Sequence, residues 1–447
     1  MSPQTETLIR ETSSLCPVCQ KQVKAALVES GEGIFLSKNC DVHGPFKLRV
    51  SRHAWYYKNL TEYYFRVMPA QMPQKRFYIY LSNRCNLDCP ICLLEPNQDK
   101  AADVSLDRFK KLIRERPGFR YYLYGAEPTL RDDLPEWIAL LKKHGNLVNI
   151  HTNGIKLDNM DYLKSLKDAG LDYVSLQFDG FDDQVYMALR NRKLLDSKLK
   201  ALENLEKLDM PTGLNVTIAK GLNEKEINPI IDYAVGKPFI RDVSFASVSF
   251  LGNAEKNFSS ADLLMPDDVV DLVEDETKGK INRRSLYLFQ KLYYAVLSIF
   301  NIRRCYNFHQ LALVRDGRGG YRSFDAIYDL AAFEKKLDRF SHLATRNRTL
   351  AAGYFFLQFT MNMLSGNVKE KVQVLPLNML LPGQKRNVKI PPKILLVSFG
   401  TVCDKYKYDA DISRYCGQGF VFNRDGSLAL SDSVSDMTLL KKGEAYG

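Results

Sequence analysis

Three cysteines within one eight-residue run constrain the fold of this chain more than any other feature. They are spaced Cys85-x3-Cys89-x2-Cys92 and follow an apolar, aromatic-rich segment, residues 77–81, that is typical of a buried strand. Three thiolates with no fourth ligand nearby leave an open coordination position, which usually marks a catalytic metal centre. The alternative is a zinc site that a distant histidine or cysteine completes. The run follows the end of its strand, where α/β barrels and open sheets carry their chemistry.

Strands and helices continue to alternate after this run. A helical pattern at 104–115 precedes predicted strands at 121–124, 146–151, 173–178, 214–219 and 243–250. The fold class that we predict is therefore α/β, a partial (β/α)6 barrel. Polar residues and glycines end three of these strands: Gly125, Ala126, Glu127 and Pro128, then Thr152 and Asn153, then Gln177 and Asp179. Small residues let the backbone approach a ligand, and Glu127 is an anionic acceptor for an ammonium group. Each of these turns by itself is also ordinary turn chemistry.

A second cysteine group lies near the N-terminus, where two short pairs have the spacing of metal knuckles. Cys16-x2-Cys19 is followed, after twenty residues, by Cys40-x2-His43. Three sulfurs and one imidazole nitrogen can meet at one tetrahedral centre, which predicts a structural metal site. Zinc or a mononuclear iron fits this donor set, and the spacing does not separate the two metals.

The run CNLDCPIC resembles the signature of radical S-adenosylmethionine enzymes. This resemblance implies that Cys85, Cys89 and Cys92 hold a [4Fe-4S] cluster whose fourth iron chelates S-adenosylmethionine, and that reductive cleavage yields a 5′-deoxyadenosyl radical. The radical then removes hydrogen from an unactivated carbon. Residues 125–128 resemble the GGEP motif that faces the amino group of the cofactor, with Ala126 in place of the second glycine. Thr152, Asn153, Gln177 and Asp179 correspond to strand ends near the carboxylate and ribose of the cofactor.

A narrower resemblance connects the whole chain with the tetraether lipid synthase group. The segments ETSSLCPVCQKQVKA, LSKNCDVHGPF, LQFDG and VSFLGNA carry it from about Glu11 to about Asn253, and it continues weakly through RRCYNFHQLALVRDG and SRYCGQGFVFNRDG. That group joins isoprenoid chain ends, relatives form rings in such chains, and some members have been linked to pterin methylation. The resemblance implies hydrogen abstraction from a lipid chain, with pterin methylation or peptide modification as alternatives.

The C-terminal part contains three further cysteines, Cys305, Cys403 and Cys416. Members of the tetraether group carry auxiliary iron–sulfur clusters in this region. Because a [4Fe-4S] cluster takes about four cysteine ligands, at most one auxiliary cluster is possible, with His309 or an outside group as the fourth ligand. Three buried cysteines that pack as small apolar residues are the alternative.

Two apolar segments suggest the substrate class. Residues 286–300 lie between Arg283-Arg284 and Arg303-Arg304, and residues 354–364 form a second block. Apolar segments flanked by arginines suit a groove for an amphipathic molecule, with lipid favoured, or a helix on an anionic membrane surface. Packing in the core of an α-rich domain is the alternative.

Length and charge bound the remaining possibilities. With 447 residues we predict an N-terminal metal segment at 1–72, a barrel at 73–260 and a substrate-binding or auxiliary domain at 261–447. No signal peptide or bilayer-spanning run is evident, which predicts a cytoplasmic protein that can lie peripherally on the inner membrane face. The net charge of +11 favours anionic partners. A zinc-containing nucleic-acid-binding protein would fit that charge but leaves Cys85, Cys89 and Cys92 unexplained, so we expect no nucleic-acid partner and instead a low-potential electron donor.

Overall fold

The computed structural model describes residues 6–68, 76–97, 105–115, 117–302, 304–374, 392–414, 419–422 and 428–431. Its first unit is an antiparallel sheet of four strands in chain order, followed by a helix. These elements are β1 (Thr7–Leu15), β2 (Gln22–Ser30), β3 (Gly33–Cys40), β4 (Gly44–Ser51) and α1 (Ala54–Val67). Gly33 has φ of +125°, and a Cβ there would lie 2.2 Å from the Ser51 carbonyl oxygen. The close pairing of β3 with β4 therefore requires glycine.

Six parallel strands, paired in chain order, form the barrel. They are β5 (Arg76–Tyr80), β6 (Arg120–Tyr124), β7 (Leu147–Thr152), β8 (Tyr173–Gln177), β9 (Thr212–Ile218) and β10 (Ile240–Ser247). The helices between them are α2 (Leu106–Glu115), α3 (Leu134–Lys143), α4 (Met160–Asp168), α5 (Asp183–Arg190), α6 (Leu195–Lys207) and α7 (Ile227–Gly236). The predicted barrel of six strands is thereby confirmed.

The two faces of the parallel strands differ in polarity, because side chains alternate along a strand. Buried apolar residues face the helices; they include Phe77, Ile79, Leu123, Ile150, Val174, Leu176, Val216 and Phe245. The opposite, inner face carries half-buried polar and aromatic residues: Tyr78, Tyr122, His151, Tyr173, Gln177, Asn215, Thr217 and Asp242. Burying the first face stabilises the barrel, whereas the second lines its interior.

The remaining elements cover the barrel and extend its sheet. The helices are α8 (Asn253–Asn257), α9 (Pro266–Glu276), α10 (Arg283–Ile299), α11 (Phe324–Tyr328), α12 (Leu330–Arg346), α13 (Arg348–Met363), α14 (Val368–Val374) and α15 (Ala410–Ser413). The strands are β11 (Phe308–Arg315), β12 (Tyr321–Ser323), β13 (Ile394–Thr401) and the hairpin of β14 (Gly419–Phe422) and β15 (Leu428–Ser431). β13 pairs in parallel with β10, β11 pairs antiparallel with β13, and β12 pairs antiparallel with β11. These three strands and the six barrel strands form one sheet of nine strands. The predicted domain boundary at residue 260 stays a prediction.

The segment at 286–300 is core rather than a groove. Nearly all of it lies in α10, whose side chains from Leu286 to Ala295 are buried. The flanking arginines have protein partners: Arg283 pairs with Asp267 and Asp271, and Arg284 pairs with Glu334. Arg304 donates to the Tyr293 hydroxyl at 3.1 Å, and residue 303 lies outside the described residues. The expectation that these arginines bind an anionic head group is therefore wrong for Arg283, Arg284 and Arg304, because each already contacts a protein acceptor.

His309 on β11 makes folding stability depend on pH. It is 2% exposed, its Nδ1 lies 2.7 Å from the Tyr56 hydroxyl, and burial followed by the charge of Arg283 lowers its pKa to about 3. An unfolded chain has a histidine pKa of about 6.5, so only the unfolded state gains a proton as the pH falls from about 6.5 to about 3, and stability is lost. We expect His309→Gln to remove about 2–3 kcal/mol of the stability difference between pH 7.5 and about pH 4.5.

Urea unfolding at both pH values measures this effect. His342→Gln is the matched control, since His342 is exposed on α12 and should keep the pH dependence of the unsubstituted chain. An identical pH dependence in the His309 variant and the unsubstituted chain would contradict the prediction.

Candidate functional site

The cysteine loop leaves β5 and is held in place by backbone contacts on both sides. Asn97 accepts from the Cys85 amide at 3.0 Å and donates to the Cys85 carbonyl at 3.0 Å. On the other side, the Asn253 amide donates to the Cys92 carbonyl at 3.0 Å. Gly252 has φ of +58°, and a Cβ there would lie 2.6 Å from the Leu93 carbonyl oxygen. The LGNA segment after β10 therefore needs its glycine to close on this loop, and the Asn253 side chain adds a hydrogen bond to the Cys89 carbonyl at 3.3 Å.

The sulfurs of this loop receive hydrogen-bond donors. The Leu87 amide donates to Cys85 Sγ at 3.4 Å, and Asn153 Nδ2 lies 3.9 Å from the same sulfur. The positive charge of Arg190 lies near Cys89 and counteracts the burial that raises the pKa of this thiol. Burial raises the pKa of Cys85 to about 12, so iron must displace its proton on binding. Donors around thiolate ligands are typical of iron–sulfur sites, so these residues fit a [4Fe-4S] cluster.

The GAEP loop after β6 packs against the cysteine loop. The Ala126 amide donates to the Ser82 carbonyl at 2.9 Å, and the Glu127 amide donates to the Arg84 carbonyl at 2.9 Å. Gly125 has φ of +153°, and a Cβ there would lie 2.6 Å from the Ser82 carbonyl oxygen. Gly125 is thus required by the close approach of two backbones, in agreement with the argument from small residues.

The Glu127 carboxylate is buried among hydrogen-bond donors of the protein. It is 1% exposed, and its carboxylate accepts from the hydroxyl groups of Thr129 and Thr152, each at 2.6 Å, and from the Asn153 amide at 2.7 Å. These donors occupy both carboxylate oxygens. Glu127 therefore joins the loops after β6 and β7. Both threonine hydroxyl groups contact Oε1 and the Asn153 amide contacts Oε2, and a carboxylate oxygen can accept more than one hydrogen bond, so the contact of Glu127 with an ammonium group stays a prediction.

Asp179, which follows β8, is the centre of a buried network of charged and polar groups. Asp179 is fully buried and accepts from Arg190 Nε at 2.7 Å, from the Thr217 amide at 3.0 Å and from Gln177 Nε2. Arg190 also lies near Cys89, so the Asp179–Arg190 pair places a positive charge beside the cluster loop. A buried pair of this kind fixes geometry even where its net contribution to stability is small.

Sequence reasoning missed Lys198 on α6. Its ammonium group is 0% exposed and donates to the Asn153 carbonyl, to the Gln177 carbonyl at 2.9 Å and to the Gln177 side chain. Burial lowers the pKa of Lys198 to about 7. Lys198 therefore joins the ends of β7 and β8. An alternating polar pattern on α6 gives no signal for this, because the burial of one lysine depends on how the helix packs.

Lys198→Met should loosen this part of the site. It removes three hydrogen bonds and leaves buried carbonyls without a donor, so we expect the free energy of unfolding to fall by about 2–3 kcal/mol. Chemical unfolding measures this change, and Lys200→Met is the control, since Lys200 is exposed on the same helix and pairs with Glu203. Equal losses in both variants would contradict a positioning role for Lys198.

The N-terminal residues Cys16, Cys19, Cys40 and His43 converge at the turns of the four-stranded sheet. Their ligand atoms all lie within 4.8 Å of one another. The Cys19 and Cys40 sulfurs are 3.9 Å apart, and His43 Nδ1 lies 3.6 Å from Cys16 Sγ and 3.5 Å from Cys40 Sγ. Around tetrahedral zinc, two sulfurs are about 3.8 Å apart and sulfur and nitrogen about 3.6 Å apart. The four residues therefore fit one zinc ion.

Of the predicted auxiliary cysteines, Cys305 precedes β11 and Cys403 follows β13, and Cys416 lies outside the described residues. Cys403 is 6% exposed and accepts from Asn307 Nδ2 at 2.8 Å. His309 contacts Tyr56 instead of these thiols. Among the described residues, no second group of three His, Cys, Asp or Glu side chains meets the 4.8 Å spacing of the N-terminal site. An auxiliary cluster stays a prediction.

Comparison with known families agrees with this architecture. Residues 79–234 match the Radical SAM superfamily. The barrel of this chain therefore contains a radical S-adenosylmethionine domain. Residues 8–52 match the HMPTM N-terminal zinc ribbon domain, which confirms a metal-binding segment there. The prediction of a radical S-adenosylmethionine enzyme is confirmed at this level, and its cofactors are a [4Fe-4S] cluster and S-adenosylmethionine. The assignment of individual cofactor ligands stays a prediction.

Individual proteins are similar to this chain over parts of its length. A 7,8-dihydro-6-hydroxymethylpterin dimethyltransferase of Methanocaldococcus jannaschii is 34% identical over 308 residues, which is 62% of this chain and 61% of the relative. A probable GTP 3′,8-cyclase of Pyrococcus abyssi is 31% identical over 165 residues, 36% of this chain and 53% of the relative. The chain thus spans about three fifths and about half of these two relatives. SuiB of Streptococcus suis, bound to its precursor peptide SuiA, is 18% identical with a TM-score of 0.40 over 50% of this chain and 49% of that chain.

These relatives correct the expectation of greatest similarity to the tetraether lipid synthase group. The pterin relative aligns over a longer stretch than the barrel match alone, and the ribbon match is named for an HMPTM protein. In the described residues, no helix has both the length and the apolar character to cross a bilayer.

Proposed function

We propose that this protein is a radical S-adenosylmethionine enzyme that alkylates a carbon of a reduced pterin. The observation that carries this proposal is the 34% identity over 308 residues with a 7,8-dihydro-6-hydroxymethylpterin dimethyltransferase. The N-terminal ribbon supports it, since residues 8–52 match a ribbon domain described for HMPTM proteins. Pterin methylation was the alternative to a lipid substrate in the sequence analysis, and these two similarities favour it.

The inner face of the barrel suits a flat polar heterocycle better than an alkyl chain. Tyr78 and Tyr122 stack there at 4.6 Å between ring centroids, and the Tyr173 hydroxyl donates to Asp242. Burial raises the pKa of Asp242 to about 6. Aromatic rings at half-buried positions can stack on a flat ring system, and the polar groups beside them can bind its polar edge, whereas an isoprenoid chain offers these groups no hydrogen bond.

His151 offers a contact for such a substrate. It is half-buried on the inner face, its ring meets Tyr122 edge-on at 5.6 Å, and its buried Nε2 has no hydrogen-bond partner among the described residues. Burial lowers the pKa of His151 to about 4, so the imidazole is neutral at physiological pH. A buried polar atom without a partner is costly, and a bound heterocycle with a complementary group would satisfy it.

The residues of this chain have separate roles in the proposed reaction. Cys85, Cys89 and Cys92 would hold the cluster, whose reduction of S-adenosylmethionine supplies a 5′-deoxyadenosyl radical. Glu127 and Lys198 fix the loops after β6, β7 and β8, while Arg190 places a positive charge beside the cluster loop. The inner face of the barrel orients the substrate and excludes water from it, which a reactive radical requires.

The test supplies the anaerobically reconstituted, reduced protein with S-adenosylmethionine and either 7,8-dihydro-6-hydroxymethylpterin or an isoprenoid lipid. We expect the pterin to stimulate 5′-deoxyadenosine formation and to gain the mass of at least one methyl group, which a second S-adenosylmethionine donates and which leaves S-adenosylhomocysteine as the co-product. His151→Ala should raise the KM for the pterin about tenfold, as expected for a lost hydrogen bond to a buried group, and His342→Ala should not. Stimulation by the lipid or by a peptide, with an unmodified pterin, would overturn the proposal.

A further inference from the structure

Helix α13 carries a continuous apolar face on the outside of the molecule. Leu350, Leu357, Met361 and Leu364 are 60%, 59%, 54% and 69% exposed, respectively. Their spacing of seven, four and three residues places them along one side of the helix. We call these four residues the α13 apolar face. Exposed apolar residues are ordinary when they are single, but a contiguous row marks an interaction surface.

The opposite side of α13 is already packed, so the α13 apolar face is not a misplaced core. Ala351, Phe355 and Phe359 are buried, and Phe355 contacts Phe333 and Phe340 of α12. Lys371 of α14 donates to the carbonyl groups of Asn362 at 2.6 Å and Ser365 at 2.9 Å, which fixes the C-terminal end of the helix. The helix is therefore held with its apolar face outward.

Exposed basic residues lie near this face. In the described residues from 339 to 374 there are five lysines and arginines and one acidic residue, Glu370, so the local charge is 5 − 1 = +4. Glu370 itself pairs with Arg322. Arg339 of α12 lies over the Tyr354 ring at 5.4 Å, Arg346 is exposed at the end of α12 and Lys369 is exposed in α14, whereas Arg348 donates to the Val67 carbonyl at 3.4 Å. Exposed positive charge thus lies near both ends of the α13 apolar face.

We propose that α13 docks flat on an anionic phospholipid membrane, with its apolar face among the acyl chains and Arg339, Arg346 and Lys369 at the phosphate groups. Apolar burial together with basic residues is what binds an interfacial helix. A second copy of the chain is disfavoured because two such positive surfaces would repel each other. Nucleic acid is disfavoured because the centre of the face carries no charge. This docking is independent of the pterin proposal.

Vesicle flotation of the full-length holoprotein tests the docking. We expect binding to vesicles that contain phosphatidylglycerol, weak binding to phosphatidylcholine vesicles, and loss of binding as salt rises. The double variant Leu357→Glu with Met361→Glu should bind at least about tenfold more weakly, because two buried side chains no longer enter the acyl region. Arg339→Glu with Arg346→Glu should also lose binding to phosphatidylglycerol vesicles. Leu8→Glu, at a residue 57% exposed on β1, is the matched control and should bind like the unsubstituted chain.

If another partner than a membrane binds the α13 apolar face, the experiments give different results. No flotation with phosphatidylglycerol vesicles would overturn the proposal. So would a dimer in light scattering that the Leu357 and Met361 double variant dissolves, or flotation that only added RNA competes away. A double variant with a melting temperature lowered by several degrees would indicate that another part of the chain covers the face, and would overturn it too. Formation of 5′-deoxyadenosine should continue in the double variant, since α13 contributes no residue to the candidate site.

Discussion

Cys89→Ser abolishes formation of 5′-deoxyadenosine in the reduced protein. Cys89 is 9% exposed and lies at the centre of the cysteine loop, near the positive charge of Arg190. With two thiolates left, a [4Fe-4S] cluster loses one of its three protein ligands, so the brown chromophore and about four irons per chain should be lost. We expect deoxyadenosine to fall below detection, by at least about a thousandfold, because the reducing centre itself is absent. Iron analysis, visible absorbance and chromatography of the nucleoside measure these changes.

The matched control is Asp88→Asn, at an exposed neighbour in the same loop. It should keep the iron content and nucleoside formation within about twofold of the unsubstituted chain. Retention of four irons and of nucleoside formation in Cys89→Ser would contradict a cluster at this loop. Unsubstituted protein that holds its iron, is fully reduced and still forms no deoxyadenosine would contradict the radical mechanism itself.

Cys16→Ser unfolds the N-terminal ribbon but leaves the cluster in place. Structural zinc contributes about 10–16 kcal/mol to the folding of zinc-finger peptides, more than a small four-stranded sheet gains by packing alone. Cys16 is fully buried, and its sulfur lies 3.6 Å from His43 Nδ1. We therefore expect loss of one zinc per chain, rapid proteolysis before α1, and a melting temperature lowered by about ten degrees or more.

The ribbon also contacts the C-terminal part of the chain, so unfolding of the ribbon should expose that part as well. Lys38 donates to the carbonyl groups of Lys405 and Tyr406, each at 3.0 Å, and Arg10 pairs with Asp409. Proteolysis should consequently increase near residues 404–412 as well. Val18→Ser, at an exposed residue of the same turn, is the control and should keep its zinc. Equal stability of Cys16→Ser and the unsubstituted chain would refute a structural metal site, whereas lost iron would mean that the two sites depend on each other.

The sequence predicted the barrel well because its signal is local. Each parallel strand is a short apolar run, and each functional turn follows directly after one, as with residues 125–128 after β6. The N-terminal metal site was equally readable, because Cys16-x2-Cys19 and Cys40-x2-His43 are two tight turns. Strand ends differed from prediction by one to three residues, for example at β10, which starts at Ile240 rather than at residue 243.

Contacts between segments that are distant in sequence could not be predicted from such local signals. β13 pairs with β10 although about 150 residues separate them, and the apolar run at 394–401 by itself gives no partner. The arginines around α10 suggested a lipid head group, yet Arg283 meets Asp267 and Asp271 in the fold. Glu127 likewise meets Thr129, Thr152 and the Asn153 amide. A charge pattern shows which groups need partners but not where the partners lie.

By itself, the sequence determined the two cysteine sites and the order of the barrel strands, because spacing and periodicity act over a few residues. Only the tertiary structure decided that Lys198 is buried between Asn153 and Gln177, that α10 belongs to the core, and that the apolar side of α13 faces outward. Burial is a property of the whole packed chain, since an apolar or charged side chain of the same local pattern becomes core or surface according to which element covers it.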